Sequence, residues 1–165
     1  MPEVQKYKIT EPYLQTSCGL GEAPYWEQSR NSLRFVDILN KRLHYVDLST
    51  GASSLQTQQL PFSIGTTADI EGNEREFVFG GKKGYGIMNR ETGESRWIKE
   101  FWTGEERRDD GGGKAKGAKT LEERMRSNDG AVDARGRFFV GAMNDPTTAE
   151  SVTDEGEYAL ERRFS

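Results

Sequence analysis

The 165-residue sequence has a single cysteine and a single histidine, and no hydrophobic run approaches the roughly 18 residues that suggest a membrane span. Because Cys18 has no second cysteine to pair with, an intrachain disulfide framework is excluded. The first ten residues also lack the apolar segment of a secretory leader. We therefore expect a cytoplasmic protein without a membrane partner.

Clusters of basic residues are also missing from the predicted strands. The formal net charge is -4, although 30% of the residues are charged. Neutralising nucleic-acid phosphates requires a concentrated basic surface, so a nucleic-acid partner is not expected.

Hydrophobic residues make up only 33% of the chain, whereas there are 19 glycines. This composition favours short strands and tight turns over long packed helices. The sequence therefore predicts an all-β fold.

A repeat of about 42 residues supports this prediction. An alternating segment around Phe35 and Val36 returns around Phe77 and Phe79, and a Thr-Gly turn at Gly51 returns at Gly93. A third copy begins near Ala131 and includes Phe139 and Val140. It begins about twenty residues further along the chain than the 42-residue interval predicts.

Residues 103–125 account for this delay. The segment is rich in glycine and charge, and it predicts an inserted mobile loop within the repeat. Near its end, Thr120 followed three residues later by Glu123 predicts the capped start of a short helical turn.

Repeats of this length, each with room for four short strands, are typical of β-propeller blades. A β-sandwich is the alternative, but it does not require a fixed long period. The chain 1–165 is interpreted as one partial propeller domain with about three to four blades. Because an open ring leaves strand edges and blade faces uncovered, self-association through those faces is also expected.

Glu22 is the first candidate site residue. It precedes the aromatic pair Tyr25 and Trp26, where an inner strand would begin and where polar side chains point toward a central channel. A carboxylate held there away from water calls for a cation or a donor, and a hard divalent ion is the natural partner.

Two segments resemble motifs of the senescence marker protein, regucalcin and gluconolactonase family, which includes the LRE-like proteins. The first, Gly21–Trp26, is similar to the family pattern G-E-[SAG]-P-x-W. The second, Arg126–Met143, is similar to R-x-N-D-G-x-x-D-x-x-G-R-x-x-x-G-x-M. The resemblance covers the N-terminal half of the family and implies a six-bladed β-propeller in complete members.

The resemblance also implies roles for individual residues. Glu22 would ligate a divalent cation, calcium or zinc, while Arg126 and Asn128 would bind a small sugar lactone. The family often has an acidic substrate contact where this chain has Pro146, so Asn144 and Asp145 are alternatives for it. The other metal ligands and the general base are expected beyond Ser165, and no catalytic residue is assigned within the chain.

Four further residues are interpreted as structural. His44 lies in an alternating strand and is expected to be structural or exposed, and Cys18 is expected to be a partly buried thiol without a nearby histidine. Trp97 and Trp102 are expected to pack between blades.

The chain is therefore identified as a truncated member of a family of metal-dependent sugar-lactone hydrolases, with little activity expected from this polypeptide alone. A non-catalytic calcium-binding or protein-interaction fragment and an inactive truncated product are the alternatives.

Overall fold

A computed structural model describes residues 4–104 and 120–148 and the backbone of residues 162–164. These residues form three antiparallel sheets with one short α-helix, so the all-β prediction is confirmed. No helix in these ranges is long and apolar enough to cross a membrane.

The first two sheets are four-stranded meanders in which consecutive strands are neighbours. The first sheet contains β1 (Gly21–Glu27), β2 (Ser32–Asp37), β3 (Arg42–Asp47) and β4 (Gln56–Gln59). The second contains β5 (Ile64–Ile70), β6 (Asn73–Gly81), β7 (Gly84–Asn89) and β8 (Ser95–Glu100). This strand order is the one expected for successive propeller blades.

The third sheet is described as three strands in the order β11-β10-β9. They are β9 (Met125–Val132), β10 (Phe138–Asn144) and β11 (Arg162–Phe164). The six residues predicted to lie on strands do so, and they are Phe35, Val36, Phe77, Phe79, Phe139 and Val140.

The repeat is visible in the turns that end β3 and β7. The Asp47 carboxylate accepts hydrogen bonds from the backbone N–H groups of Ser49 and Thr50. The Asn89 side-chain oxygen accepts the equivalent bonds from Glu91 and Thr92. Gly51 and Gly93 close the two turns with φ values of 84° and 70°, which favour glycine. The sequence repeat therefore corresponds to a repeated backbone structure.

The predicted inserted loop is described only at its ends. Helix α1 (Leu121–Arg124) begins at Thr120 with the predicted capping box, in which Thr120 and Glu123 bond reciprocally, and Met125 already belongs to β9. Residues 105–119 lie outside the described ranges, so the loop assignment stays a prediction there.

The first strands of the three sheets lie side by side, because β5 packs against both β1 and β9. Two hydrophobic clusters fill the spaces between the sheets. The cluster between the first and second sheets includes Val36, Leu43, Ile64, Phe77, Phe79 and Met88, with Trp97 packed against it. The cluster between the second and third includes Tyr85, Phe101, Trp102, Leu121, Met125, Val140 and Ala142. The two tryptophans pack between sheets, as predicted.

Candidate functional site

All three first strands contain an irregularity in their pairing. In β1, the pairing with β2 shifts between Glu22 and Tyr25, and Ala23 has a φ of 49°. The β5 pairing shifts after Ile64, and the β9 pairing shifts opposite Val140 and Ala142. Such bulges turn individual side chains away from the regular alternation of a strand and are common beside functional sites.

Glu22 lies at the bulge of β1, and its side chain is exposed rather than withdrawn from water as the sequence suggested. Within the described ranges, no hydrogen bond or ion pair occupies its carboxylate. Glu22 lies on an edge strand of the first sheet, because β1 pairs with β2 alone. Glu22 therefore presents free oxygen donors.

Arg126 and Asn128 are directly connected on β9. The Arg126 guanidinium donates from Nη1 to the Asn128 side-chain oxygen at 3.0 Å and to the Ser127 carbonyl at 2.8 Å. Arg126 is buried, and its Nε has no acceptor among the described residues. A buried N–H group without a hydrogen-bond acceptor destabilises the fold, and binding a ligand that supplies an acceptor would remove this cost.

Glu22 and Asp145 both act electrostatically on Arg126. Burial lowers the pKa of Arg126 below its usual value, while the negative charges of Asp145 and Glu22 oppose that shift. The fold thus brings the three residues singled out in the sequence into one neighbourhood, although Glu22 is more than 100 positions from the other two.

Asp145 is better placed than its neighbours to act on Arg126. Its carboxylate accepts bonds from the Thr147 backbone N–H at 3.0 Å and hydroxyl at 2.7 Å, and it pairs with Lys82 at 3.5 Å. Asn144 instead accepts a bond from Arg124, and Pro146 is exposed. Of the two alternatives, Asp145 is therefore the one with a direct electrostatic effect on Arg126.

The interactions of Asp145 predict that the fold becomes less stable at acidic pH. Burial alone would raise the pKa of Asp145, but the Thr147 hydrogen bonds and Lys82 hold it below its usual value. Asp145 therefore stabilises the fold above its unfolded pKa of about 3.9, and this contribution is lost as pH falls through the lower folded pKa.

We expect Asp145→Asn to lower the free energy of unfolding near neutral pH by about 1.5 to 3 kcal/mol. It should also flatten the decline in stability below about pH 4, as measured by urea denaturation over a pH series. Asp129→Asn is the control, because the Asp129 side chain is exposed. A pH profile of Asp145→Asn parallel to that of the parent chain would contradict the assignment.

Sequence reasoning missed the contact that holds β9 in place. The Ser127 hydroxyl accepts from the Gly65 N–H at 3.1 Å and donates to the Gly80 carbonyl at 2.7 Å. A Cβ at Gly65 would lie 2.1 Å from the Asn128 backbone oxygen. Ser127 and Gly65 thus set the position of Asn128, and the only sequence signal was the polar Ser127 between two candidate residues.

Gly65→Ala is expected to destabilise the chain by about 1 to 3 kcal/mol, because backbone atoms on β9 must move to admit the methyl group. Urea denaturation measures this loss. The matched control is Gly21→Ala, where the added Cβ would be 3.4 Å from the nearest atom, the Cβ of Cys18. Equal stabilities for the two variants would show that the approach of β5 to β9 is not tight.

Two arginines and two acidic residues form a second feature that the sequence did not reveal. Arg34 and Arg90 each pair with both Glu27 and Asp69, and the guanidinium of Arg34 lies 4.1 Å from the centre of the Phe77 ring. Burial lowers the pKa of Arg34, against the opposing effect of Glu27 and Asp69. We call these four residues the charge network. It joins the first sheet to the second.

The position of His44 corrects one expectation. Its imidazole is buried, and Nε2 lies 3.9 Å from the Cys18 sulfur, so the prediction that Cys18 has no nearby histidine was wrong. The residues are 26 positions apart, and the Cys18 segment is held beside His44 by bonds from the Gly19 and Leu20 N–H groups to the Asp37 carboxylate. Cys18 itself is partly buried, as predicted.

Comparison with known proteins places this fold in a family. Residues 20–161 match the model of the SMP-30/gluconolactonase/LRE-like region. The chain belongs to this family.

Several characterised relatives can be compared with the chain. It is 28% identical over 134 residues to pentonolactonase XacC of Haloferax volcanii, covering 81% of this chain and 38% of the relative. It is 29% identical over 146 residues to 6-deoxy-6-sulfogluconolactonase of Pseudomonas putida, covering 88% of this chain and 41% of the relative. The chain thus spans about two fifths of the length of these curated relatives.

Solved structures show the same fold. A regucalcin of Agrobacterium tumefaciens, described as a calcium-binding protein, matches with a TM-score of 0.62 at 23% identity. The match covers 78% of this chain and 37% of the regucalcin chain. A luciferin-regenerating enzyme matches with a TM-score of 0.58 at 19% identity, covering 78% of this chain and 38% of the enzyme.

Proposed function

We propose that this chain supplies the substrate-binding part of a metal-dependent sugar-lactone hydrolase. The observation that carries the proposal is the Arg126–Asn128 hydrogen bond in a neighbourhood that also contains Glu22. The relatives named for lactone hydrolysis support the reaction class.

Arg126 and Asn128 have complementary hydrogen-bonding capacities. The guanidinium is a planar set of donors for hydroxyl or carbonyl oxygens, whereas an amide side chain both donates and accepts. Because Arg126 holds the Asn128 oxygen, the amide NH2 group is the part of Asn128 that faces away from this bond. The pair would orient a polyhydroxylated ring, with Asp145 influencing the charge around it.

Glu22 is the residue proposed to hold a divalent cation. Its free, exposed carboxylate fits a hard ion such as calcium, and zinc also accepts carboxylate oxygen. When bound, the cation would polarise the lactone carbonyl and activate water. Calcium requires 6 to 8 oxygen ligands, so Glu22 alone provides a small fraction of the site.

We further propose that the described sheets are blades of a six-bladed propeller, and that this chain contributes about three to four of them. The repeated turns and the adjacent first strands support this interpretation. The single cysteine is compatible with a cytoplasmic location, which we also propose.

The second candidate function is a non-catalytic calcium-binding or protein-interaction role, with an inactive product as its limiting case. It is favoured because Glu22 is a single proposed ligand of the lactonase metal in the described ranges, and one carboxylate is too few to build a catalytic metal site. The exposed side chains of Trp26 and Ile98 are compatible with association between copies.

The test compares lactone hydrolysis by the 165-residue chain with hydrolysis by a chimera. The chimera appends the unmatched remainder of the Haloferax volcanii relative to residues 1–148 of this chain. We expect little turnover by the chain alone and metal-dependent turnover by the chimera, assayed with calcium, zinc, manganese and magnesium. Robust turnover by the short chain alone would show that the site is built from other residues, and an inactive folded chimera would favour the second candidate.

A further inference from the structure

Three metal-ligating side chains meet on the face of the first sheet that is turned away from the second sheet. Leu43 points into the core between the sheets, so its neighbour His44 on β3 points to the opposite face. There it meets Cys18 and Asp37, and one donor atom from each residue lies within 4.8 Å of the others. We call these three residues the Cys18 cluster.

His44 is held in a defined orientation. Its Nδ1 lies 2.9 Å from the Thr57 hydroxyl, and its ring stacks on Phe35 with the ring centres 4.7 Å apart. Only 2% of the residue is exposed. Because Thr57 occupies one ring nitrogen and Phe35 covers the ring, Nε2 is directed at the Cys18 sulfur. Such a second contact to a ring nitrogen is how proteins orient a histidine that binds a metal.

Cys18 faces His44 from the segment that precedes β1. Its thiol donates to the Thr16 hydroxyl at 3.1 Å, and the side chain is only partly buried. An ion from solvent can therefore reach the sulfur. If the thiol loses its proton, the Thr16 hydroxyl can reverse its role and donate to the thiolate.

Asp37 holds the Cys18 segment in place through hydrogen bonds to the backbone. Its two oxygens accept from the backbone N–H groups of Gly19 at 3.2 Å and Leu20 at 3.1 Å. They also accept from the Asn40 side chain at 2.7 Å and, more distantly, from the Asn40 N–H at 3.4 Å. The carboxylate supplies negative charge beside the other two donors, and the long Asn40 bond is the one that a metal contact would replace.

We propose that the Cys18 cluster binds a thiolate-preferring divalent cation of the zinc class, at a site separate from Glu22. Sulfur and imidazole donors favour zinc over calcium. At bond lengths of about 2.3 Å to sulfur and about 2.05 Å to nitrogen, donors at the observed separation subtend an angle of roughly 125° at the ion. A small inward movement would make this tetrahedral. Asp37 is the third donor, and it must also move inward, because donor atoms up to 4.8 Å apart are farther apart than two zinc bonds of about 2.0 to 2.3 Å can span. Water completes the site.

Binding is a balanced exchange of cation and proton. The neutral Nε2 of His44 binds without losing a proton, whereas the Cys18 thiol must release one to solvent as its sulfur bonds to the metal. One proton should therefore appear for each zinc bound. A cation held by carboxylates alone near neutral pH would release none.

The test uses the 165-residue chain with zinc, cobalt and calcium as separate probes. We expect one zinc per chain at this site by calorimetry, with one proton released when buffers of different ionisation enthalpy are compared. Cobalt should give a thiolate-to-metal absorption band. Zinc should also protect Cys18 from alkylation, and calcium should not.

Variants assign the ligands. Cys18→Ser should abolish the cobalt band and weaken zinc binding at least about tenfold, and His44→Gln should weaken it by a similar factor. Asp37→Asn should have the smaller effect. Glu91→Gln is the matched control, because Glu91 is exposed and belongs to neither proposed site, and it should leave zinc binding unchanged. The proposal is overturned if cobalt gives no thiolate band with the parent chain, if zinc leaves Cys18 alkylation unprotected, or if Cys18→Ser binds zinc as the parent does.

Discussion

Replacing Glu27 by glutamine is expected to lower the free energy of unfolding by about 3 to 5 kcal/mol. Glu27 is 2% exposed and pairs with Arg34 and with Arg90, the latter at 2.9 Å. An amide of the same size removes the negative charge but leaves both guanidinium groups in place. Asp69 then faces two arginines alone, and two buried positive charges are incompletely compensated.

Urea denaturation of the variant and the parent chain measures this effect. Glu91→Gln serves as the control because Glu91 is exposed. A double-mutant cycle with Arg90→Gln should give a coupling free energy of about 0.5 to 3 kcal/mol, since the two side chains are in direct contact. A loss for Glu27→Gln no greater than that of Glu91→Gln would mean that the charge network does not join the sheets.

Glu22→Gln in the active chimera is expected to reduce kcat/KM for a sugar lactone by at least about a hundredfold at limiting metal. Even groups that only orient metal ligands cost about 10- to 100-fold when they are replaced, and Glu22 is proposed to contact the ion itself. The amide keeps the size of the side chain but loses the charge that attracts a divalent cation. Raising the metal concentration should therefore restore part of the activity.

Arg126→Lys separates metal binding from substrate binding in the same assay. Lysine keeps a positive charge but not the planar set of donors, so KM should rise without a change in the metal requirement. Circular dichroism of both variants tests for intact folding. If Glu22→Gln and the parent chimera show the same dependence on metal concentration, Glu22 is not a ligand.

The repeat and the motifs predicted much of this architecture because they depend on local signals. The turns at Gly51 and Gly93 each require a residue with positive φ after a short polar segment, and Thr120 and Glu123 complete a capping box within four residues. The electrostatic effect of Glu22 on Arg126 requires that β1 and β9 lie close together on either side of β5.

The remaining features depend on contacts between sheets, for which the sequence has no local pattern. Arg90 is 63 positions from Glu27, and Ser127 is 62 positions from Gly65. Their pairing depends on the rotation of each sheet, which side-chain packing determines. The exposure of Glu22 was mispredicted for a related reason, since the burial of an edge-strand residue depends on what lies beyond that edge.

The consecutive strand order of the first two sheets has a consequence for how the chain folds during synthesis. Each of these sheets is built from neighbouring segments, so its contacts close short loops, and low sequence separation favours rapid folding. The first sheet can form while the second is still being translated. The Arg34–Glu27 pair lies within the first sheet, whereas Asp69, the other acidic partner of Arg34, is translated later with the second sheet. Completion of the second sheet therefore makes the first sheet more resistant to unfolding.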